Sequence, residues 1–308
     1  MNRKMLFMSI FIGIIGCYSI LAIQKKAKKQ KSAIISVYVH GTLFNWRRLL
    51  SKIPAAADLT YVPDGLTLVE KLKPNTVARK MATLFCKKDP NRFSYSDFYA
   101  FGWSGKLSFQ ERKKWAQRLA AELIDISNLY YEKHGIRPTV RVVTFSHGGN
   151  VALHLAEFLP KNFKLELFLI ACPVQNDTKD FLLYDCFSKI YMIYSMNDVI
   201  QVIDPIHVCK SIKNKNKKKL SARFFNYDIE KLKQACVSVN GKYIGHYELF
   251  QSFNKHIPMV LKQLDSSLEK KGTNILDVDI LDDSFIFFNY INIIDVLNGK
   301  CKEKKLQY

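Results

Sequence analysis

Residues 141–153 read Arg-Val-Val-Thr-Phe-Ser-His-Gly-Gly-Asn-Val-Ala-Leu, a β-branched apolar stretch that meets Ser146, two glycines and then a helix-like sequence. A strand that turns directly into a helix brings the two backbones almost into contact. Residues without bulk are needed there, and Gly148 and Gly149 supply the space. The same turn throws the hydroxyl of Ser146 clear of the sheet, where it can act as a nucleophile. An ordinary glycine-capped turn has the same local pattern, so residues elsewhere must decide between the two readings.

The segment resembles the nucleophile elbow of the α/β-hydrolase superfamily, in its lipase-like and esterase-like branch. The family pattern has glycine two places after the serine, matched here by Gly148, and two places before it, where this chain has Thr144. The resemblance implies a catalytic serine followed in chain order by an acid and then a histidine. The chain offers that order. A strand-like run over 189–194 ends in the polar turn Ser195-Met196-Asn197-Asp198, and the resemblance puts the acid at Asp198. An aspartate before Val-Ile-Gln-Val-Ile also suits a helix N-cap, and the two roles are compatible. Asp204 is the nearest rival.

Further on, Asn240-Gly241 reads as a turn, and Gly245-His246 before a helical run resembles the histidine loop of lipase-like hydrolases, which makes His246 the base. Among the seven histidines, His134, His154, His207 and His256 read as surface or structural. His147 competes for the base role, but beside Ser146 on a sharp elbow it points away from the hydroxyl.

Acyl transfer also generates an oxyanion, which fixed backbone N–H groups stabilise. An apolar strand-like run from Ala33 ends in His40-Gly41-Thr42. By the resemblance, the N–H of Thr42, supported by His40 and Gly41, is one donor, and that of His147 is the other. No metal or organic cofactor is implied.

The remaining pattern agrees with an α/β fold, a doubly wound and mostly parallel sheet. Strands are expected over 94–101 and 165–171, and helices from Ser108, which with Glu111 reads as a capping box, and over 151–159. Trp103 and Ser104, in a loop leaving a strand end, are either substrate contacts or packing. Cys172-Pro173 breaks the 165–171 strand, and its thiol reads as a small buried hydrophobe as readily as a site group. The irregular stretch between Gly41 and Arg92, with four prolines, is a candidate cap or lid.

The length of 308 residues suits one such domain with decorations, assigned to 32–270, and a 271–308 extension that the sequence does not place. Seven cysteines at irregular spacing form neither a zinc pattern nor a disulfide framework, which favours a reducing compartment.

Residues 1–31 differ in kind. The apolar run 5–23 is bracketed by Arg3-Lys4 and by the lysines of 25–31, and its length suits a single bilayer-spanning helix with the hydrolase domain on the cytoplasmic side. A cleaved secretory signal is the competing reading. So is a lipidated Cys17, since Ile14-Ile15-Gly16-Cys17 resembles a lipobox. The formal net charge of +20 is concentrated partly there and partly in 210–219, and both clusters would hold the domain against an anionic membrane. Nucleic-acid binding is not favoured, because no recognised motif accompanies the charge. The expected activity is a serine hydrolase acting on carboxylic esters, lipid esters among them. An inactive lipid- or protein-binding module and an acyltransferase using the same serine are the alternatives. Acyl specificity and oligomeric state are not read from the sequence.

Overall fold

A computed structural model describes residues 33–42, 62–202, 221–267 and 274–287. The anchor segment, residues 43–61 of the candidate lid, Asp204, His207, the lysines of 210–219 and the tail from 288 lie outside these residues.

The described residues build one nine-stranded mixed sheet. Its strands are β1 (Ile34–Val39), β2 (Gly65–Leu68), β3 (Phe98–Gly102), β4 (Thr139–Phe145), β5 (Leu165–Ile170), β6 (Phe187–Tyr194), β7 (Leu232–Val239), β8 (Lys242–Tyr243) and β9 (Ile275–Ile280). Spatial order is β2-β3-β1-β4-β5-β6-β7, with β8 and β9 both on β7. Only β2 and β8 run antiparallel to their neighbours. This mostly parallel sheet fits an α/β-hydrolase fold.

The parallel strands are apolar on both sides, as they must be when helices cover both faces. In β4, Val140 and Val142 face one core while Val143 and Phe145 face the other. The first core is closed by α2 (Phe109–His134) and α3 (Gly148–Leu153), the second by α1 (Val77–Lys88), α4 (His246–Phe250) and α5 (Ile257–Ser267). Helix α2 starts where the sequence indicates: the Ser108 hydroxyl accepts from the Glu111 N–H, and the helix ends at Gly135 in the left-handed region. The capping box is only half formed, because the Glu111 carboxylate accepts from Ser104 Oγ instead.

Several expected bounds shift. The 94–101 strand is shorter, beginning at Phe98 after a turn in which Asp97 accepts from Ser94 and Ser96. The helix after the elbow covers Gly148–Leu153 and then tightens into a single 3-10 turn over His154–Glu157. Within the lid candidate, the described part from residue 62 is no cap. Val69, Leu72, Met81, Ala82 and Phe85 are buried in the second core, so β2 and α1 belong to the body of the domain.

The stretch assigned to an unplaced extension contributes to the sheet. β9 pairs in parallel with β7 from Gln234↔Ile275 to Val239↔Ile280, so the domain extends past residue 270. Its alternation explains this position at the edge. Val278 and Ile280 turn into the second core, while Asp277 and Asp279 stay in water.

Among the described residues no helix is long and apolar enough to cross a membrane.

Candidate active site

From β1 in the sheet's middle the chain moves out to β2 at the edge, returns through β3, and then crosses to β4 on the other side of β1. The winding therefore reverses between β1 and β4. A reversal of this kind, at the strands' carboxyl ends, is the usual position of a site in open α/β sheets. His40-Gly41-Thr42 follows β1 and Ser146 follows β4, so the two motifs meet at that point.

Ser146 has φ 52°, in the left-handed region where a side chain is strained. Its N–H donates to Ile170 O, and its own carbonyl accepts from Gly149 N, which pins the turn from both sides. The close approach inferred from the sequence is present. A Cβ on Gly148 would lie 2.5 Å from His40 O and 2.6 Å from Val39 O, so no side chain fits between the elbow and the end of β1. A Cβ on Gly41 would lie 2.8 Å from Ser146 Cβ. Thr144, where the family pattern has glycine, is fully buried on the α2/α3 face, and its hydroxyl donates to Phe168 O at 3.0 Å. The β5 carbonyl satisfies the one polar group that the larger side chain brings into the core.

Asp198 and His246, 48 residues apart, meet: Asp198 Oδ2 lies 2.7 Å from His246 Nδ1. The hairpin β7–β8 accounts for this. Asn240 (φ 49°) and Gly241 (φ 73°) form its two-residue turn with both residues left-handed. Because β9 occupies one edge of β7, β8 folds back along the other edge, beyond the end of β6. Ser195 Oγ accepts from Ile244 N and Asn197 Nδ2 donates to Tyr243 O, tying the acid turn to the histidine loop. Glu248 then accepts from Gly245 N, so α4 begins at His246.

Asp198 is fully buried, and its second oxygen accepts from Gln201 N at 3.1 Å, so the cap reading and the acid reading describe one residue. A carboxylate only accepts, which places the proton of the imidazole on Nδ1 and leaves Nε2 as the basic atom. The ring of Phe145, the residue before Ser146, packs with its centroid 4.8 Å from that of His246, so the imidazole lies against the residue that precedes the serine. Among the described residues no hydrogen bond joins Ser146 Oγ to His246. In unliganded sites this contact is commonly long and tightens when substrate binds.

His40 does not present its ring to Ser146. The ring stacks on Trp103 at 5.6 Å, its Nε2 accepts from Trp103 N, and Trp103 Nε1 donates to His40 O at 2.7 Å. Trp103 is fully buried and braces the end of β3 against the end of β1, so it is packing rather than a substrate contact. Thr42 is the last described residue of its segment and follows the Gly41 contact with Ser146. The Cys172 thiol is buried against Gly149, and burial raises it far above the usual thiol range, so it stays protonated and serves as a hydrophobe.

His147 opens α3 with its N–H beside the elbow. Its ring sits in a polar network that the sequence reading missed. Arg112, from the first turns of α2, is fully buried, with Nη1 3.4 Å from His147 Nδ1 and Nη2 donating to Gln175 Oε1 at 3.0 Å. Burial first, then the Arg112 charge and the neighbouring His246, push His147 well below the ordinary histidine range. These surroundings disfavour the protonated form of the ring.

No family model matches the sequence, and no curated protein matches it significantly. Among solved structures, similar ones include the crystal structure of esterase PE8, at 14% identity and TM-score 0.36, covering 76% of this chain and 93% of that one. Aspergillus fumigatus lipase B is similar at 10% identity and TM-score 0.31, covering 64% of this chain and 43% of that one. Likenesses this distant assign no activity, and the reading of the site rests on its own geometry.

Proposed function

We propose that the protein is a serine hydrolase of carboxylic esters, lipid esters included, with Ser146 as nucleophile, His246 as base and Asp198 as the residue that orients the base. The observation that carries this reading is the buried Asp198–His246 pair, held at 2.7 Å and packed through Phe145 onto a serine in the left-handed region.

In the first half-reaction, His246 Nε2 takes the Ser146 proton as Oγ bonds to the ester carbonyl carbon. The carbonyl oxygen becomes an oxyanion facing the N–H groups of His147 and Thr42. Collapse breaks the bond to the alcohol oxygen, which leaves with the proton from His246. Water then repeats the sequence on the acyl-enzyme and frees the acid and Ser146. Asp198 holds the imidazole in the Nδ1–H tautomer and stabilises the transient imidazolium.

Purified full-length protein assayed on short and long acyl 4-nitrophenyl esters tests this. Turnover by the wild type and none above background by Ser146→Ala is expected. Equal turnover by the two would remove Ser146 from the mechanism.

The apolar segment 5–23 is proposed to anchor the enzyme in a membrane, with the lysines of 25–31 and 210–219 adding attraction to anionic lipid. Such an anchor resists extraction by high salt, because salt screens lysine contacts without releasing an apolar helix. Complete release into a salt wash would leave only the electrostatic part.

A further inference from the structure

The residue after the nucleophile is a histidine whose ring the base role does not use. Its state is set by its neighbours. Asn150 Nδ2 donates to Pro173 O at 3.0 Å and Asn150 Oδ1 accepts from Thr178 Oγ1 at 2.6 Å, so that amide has one possible orientation. Its NH2 group stands 3.5 Å from His147 Nδ1, and Arg112 Nη1 stands 3.4 Å from the same atom. Both neighbours can only donate. Nδ1 must therefore be the acceptor and the ring proton must sit on Nε2, the tautomer opposite to that of His246. The Arg112 charge and burial reinforce this by disfavouring a second proton.

His147 Nε2 has no hydrogen-bond partner among the described residues, yet it is absent from the atoms that are sealed in the interior without one. The Nε2 atom thus keeps some contact with solvent in a residue that is 6% exposed overall and directly follows Ser146 in the chain. A buried imidazole flanked on one side by two donors, with a single N–H left open on the residue that follows the candidate nucleophile, can donate to an oxygen.

We propose that His147, as its Nε2–H tautomer, is a specificity-determining donor to the substrate, favouring esters that carry an acceptor oxygen (ether, hydroxyl or carbonyl) close to the scissile carbonyl. Arg112 and Asn150 are its positioning residues. The inference rests on the ester-hydrolase reading above and names a substrate feature within it.

Two chain-matched substrates isolate the contact: 4-nitrophenyl pentanoate and 4-nitrophenyl ethoxyacetate, which differ by one methylene replaced with oxygen. The ratio of their kcat/KM values, compared between wild type and variants in the full-length protein, cancels their intrinsic reactivity. His147→Phe keeps a ring without a donor and should lower the preference for the ether about tenfold, the worth of one hydrogen bond of about 1.4 kcal/mol. His147→Gln, which retains an N–H, should restore a large part of it. An equal loss on both esters, leaving the ratio unchanged, overturns the proposal in favour of a structural role. Histidine-selective ¹⁵N NMR adds a readout independent of turnover: a protonated Nε2 and bare Nδ1 from pH 6 to 8 are expected, and an Nδ1–H ring or an imidazolium at neutral pH overturns the proposal. If the wild type hydrolyses neither ester, the ester-hydrolase reading falls and the substrate role falls with it, while the labelled ring still reports whether the tautomer assignment was right.

Discussion

Asp198 uses its two carboxylate oxygens for two elements: Oδ2 meets His246 Nδ1 at 2.7 Å and Oδ1 accepts from Gln201 N at 3.1 Å. The cap fixes the carboxylate that fixes the base. In Asp198→Asn, the amide oxygen can keep the cap, which turns the NH2 group toward His246 Nδ1. The imidazole must then carry its proton on Nε2 and cannot accept one from Ser146. Activity is expected to fall about 10⁴-fold, as for the same change in other triads. The melting temperature should change by only a few degrees. A variant within tenfold of the wild-type rate would show that another acid, Asp204 among them, does this work.

Ser146 carries strain as well as chemistry. At φ 52° a residue with a Cβ costs roughly 1–2 kcal/mol that glycine does not. Ser146→Ala keeps that strain, whereas Ser146→Gly removes it. Both should be inactive, with the glycine variant more stable than the alanine variant by about 1 kcal/mol in urea denaturation. The opposite order would mean that the elbow relaxes out of this conformation in solution.

Two glycines separate folding from catalysis. In Gly148→Ala the new methyl meets the backbone carbonyls of His40 and Val39, which cannot turn away, so a loss of about 1–3 kcal/mol of stability is expected. In Gly41→Ala it meets Ser146 Cβ, and the loop carrying Thr42 must withdraw from the nucleophile. There the expected result is a rate loss of about 10²-fold, the cost of one misplaced oxyanion donor. Thermal melts and kcat measured on both variants check the pair of outcomes.

The pH dependence of stability follows from two buried histidines. His147 is pushed down by burial, Arg112 and His246. His154 is pushed down mainly by burial and also by Arg112 and Lys113, against the upward pull of Glu157. A folded-state value below the unfolded one means that the unfolded chain binds more protons in the window between them. Stability is therefore complete above the unfolded value of about 6.5 and declines as pH falls below it. Melting temperatures from pH 8 to 5 should decline less steeply in His154→Gln than in wild type. An unchanged slope would show that His154 protonates without cost in the folded protein.

Much of the candidate site was readable in the sequence because each piece is local: a strand, a polar or glycine turn, a short helix. Ser146, Asp198, His246 and His40-Gly41 all lie at such ends. What the sequence hid depends on distant partners. Trp103 looks like a ligand contact until its indole N–H is seen to donate to His40 O, 63 residues away. Arg112, in the first turns of an amphipathic helix, looks like a solvated charge, and only the packing of α2 beside the elbow buries it against His147 and Gln175. The Leu-Asp-Val-Asp-Ile alternation of β9 marks a half-exposed strand, but nothing local says that its partner is β7, some 40 residues earlier.

The central claim, that Ser146 is a nucleophile activated by His246, is tested most directly by a fluorophosphonate probe on the full-length protein. Attack of the serine oxygen on phosphorus expels fluoride and leaves a stable adduct readable by mass. One adduct per chain is expected, mapped to the peptide containing Ser146, lost in Ser146→Ala and slowed at least about 10²-fold in His246→Ala. No adduct on the wild type, or an adduct that persists in Ser146→Ala, would contradict the account.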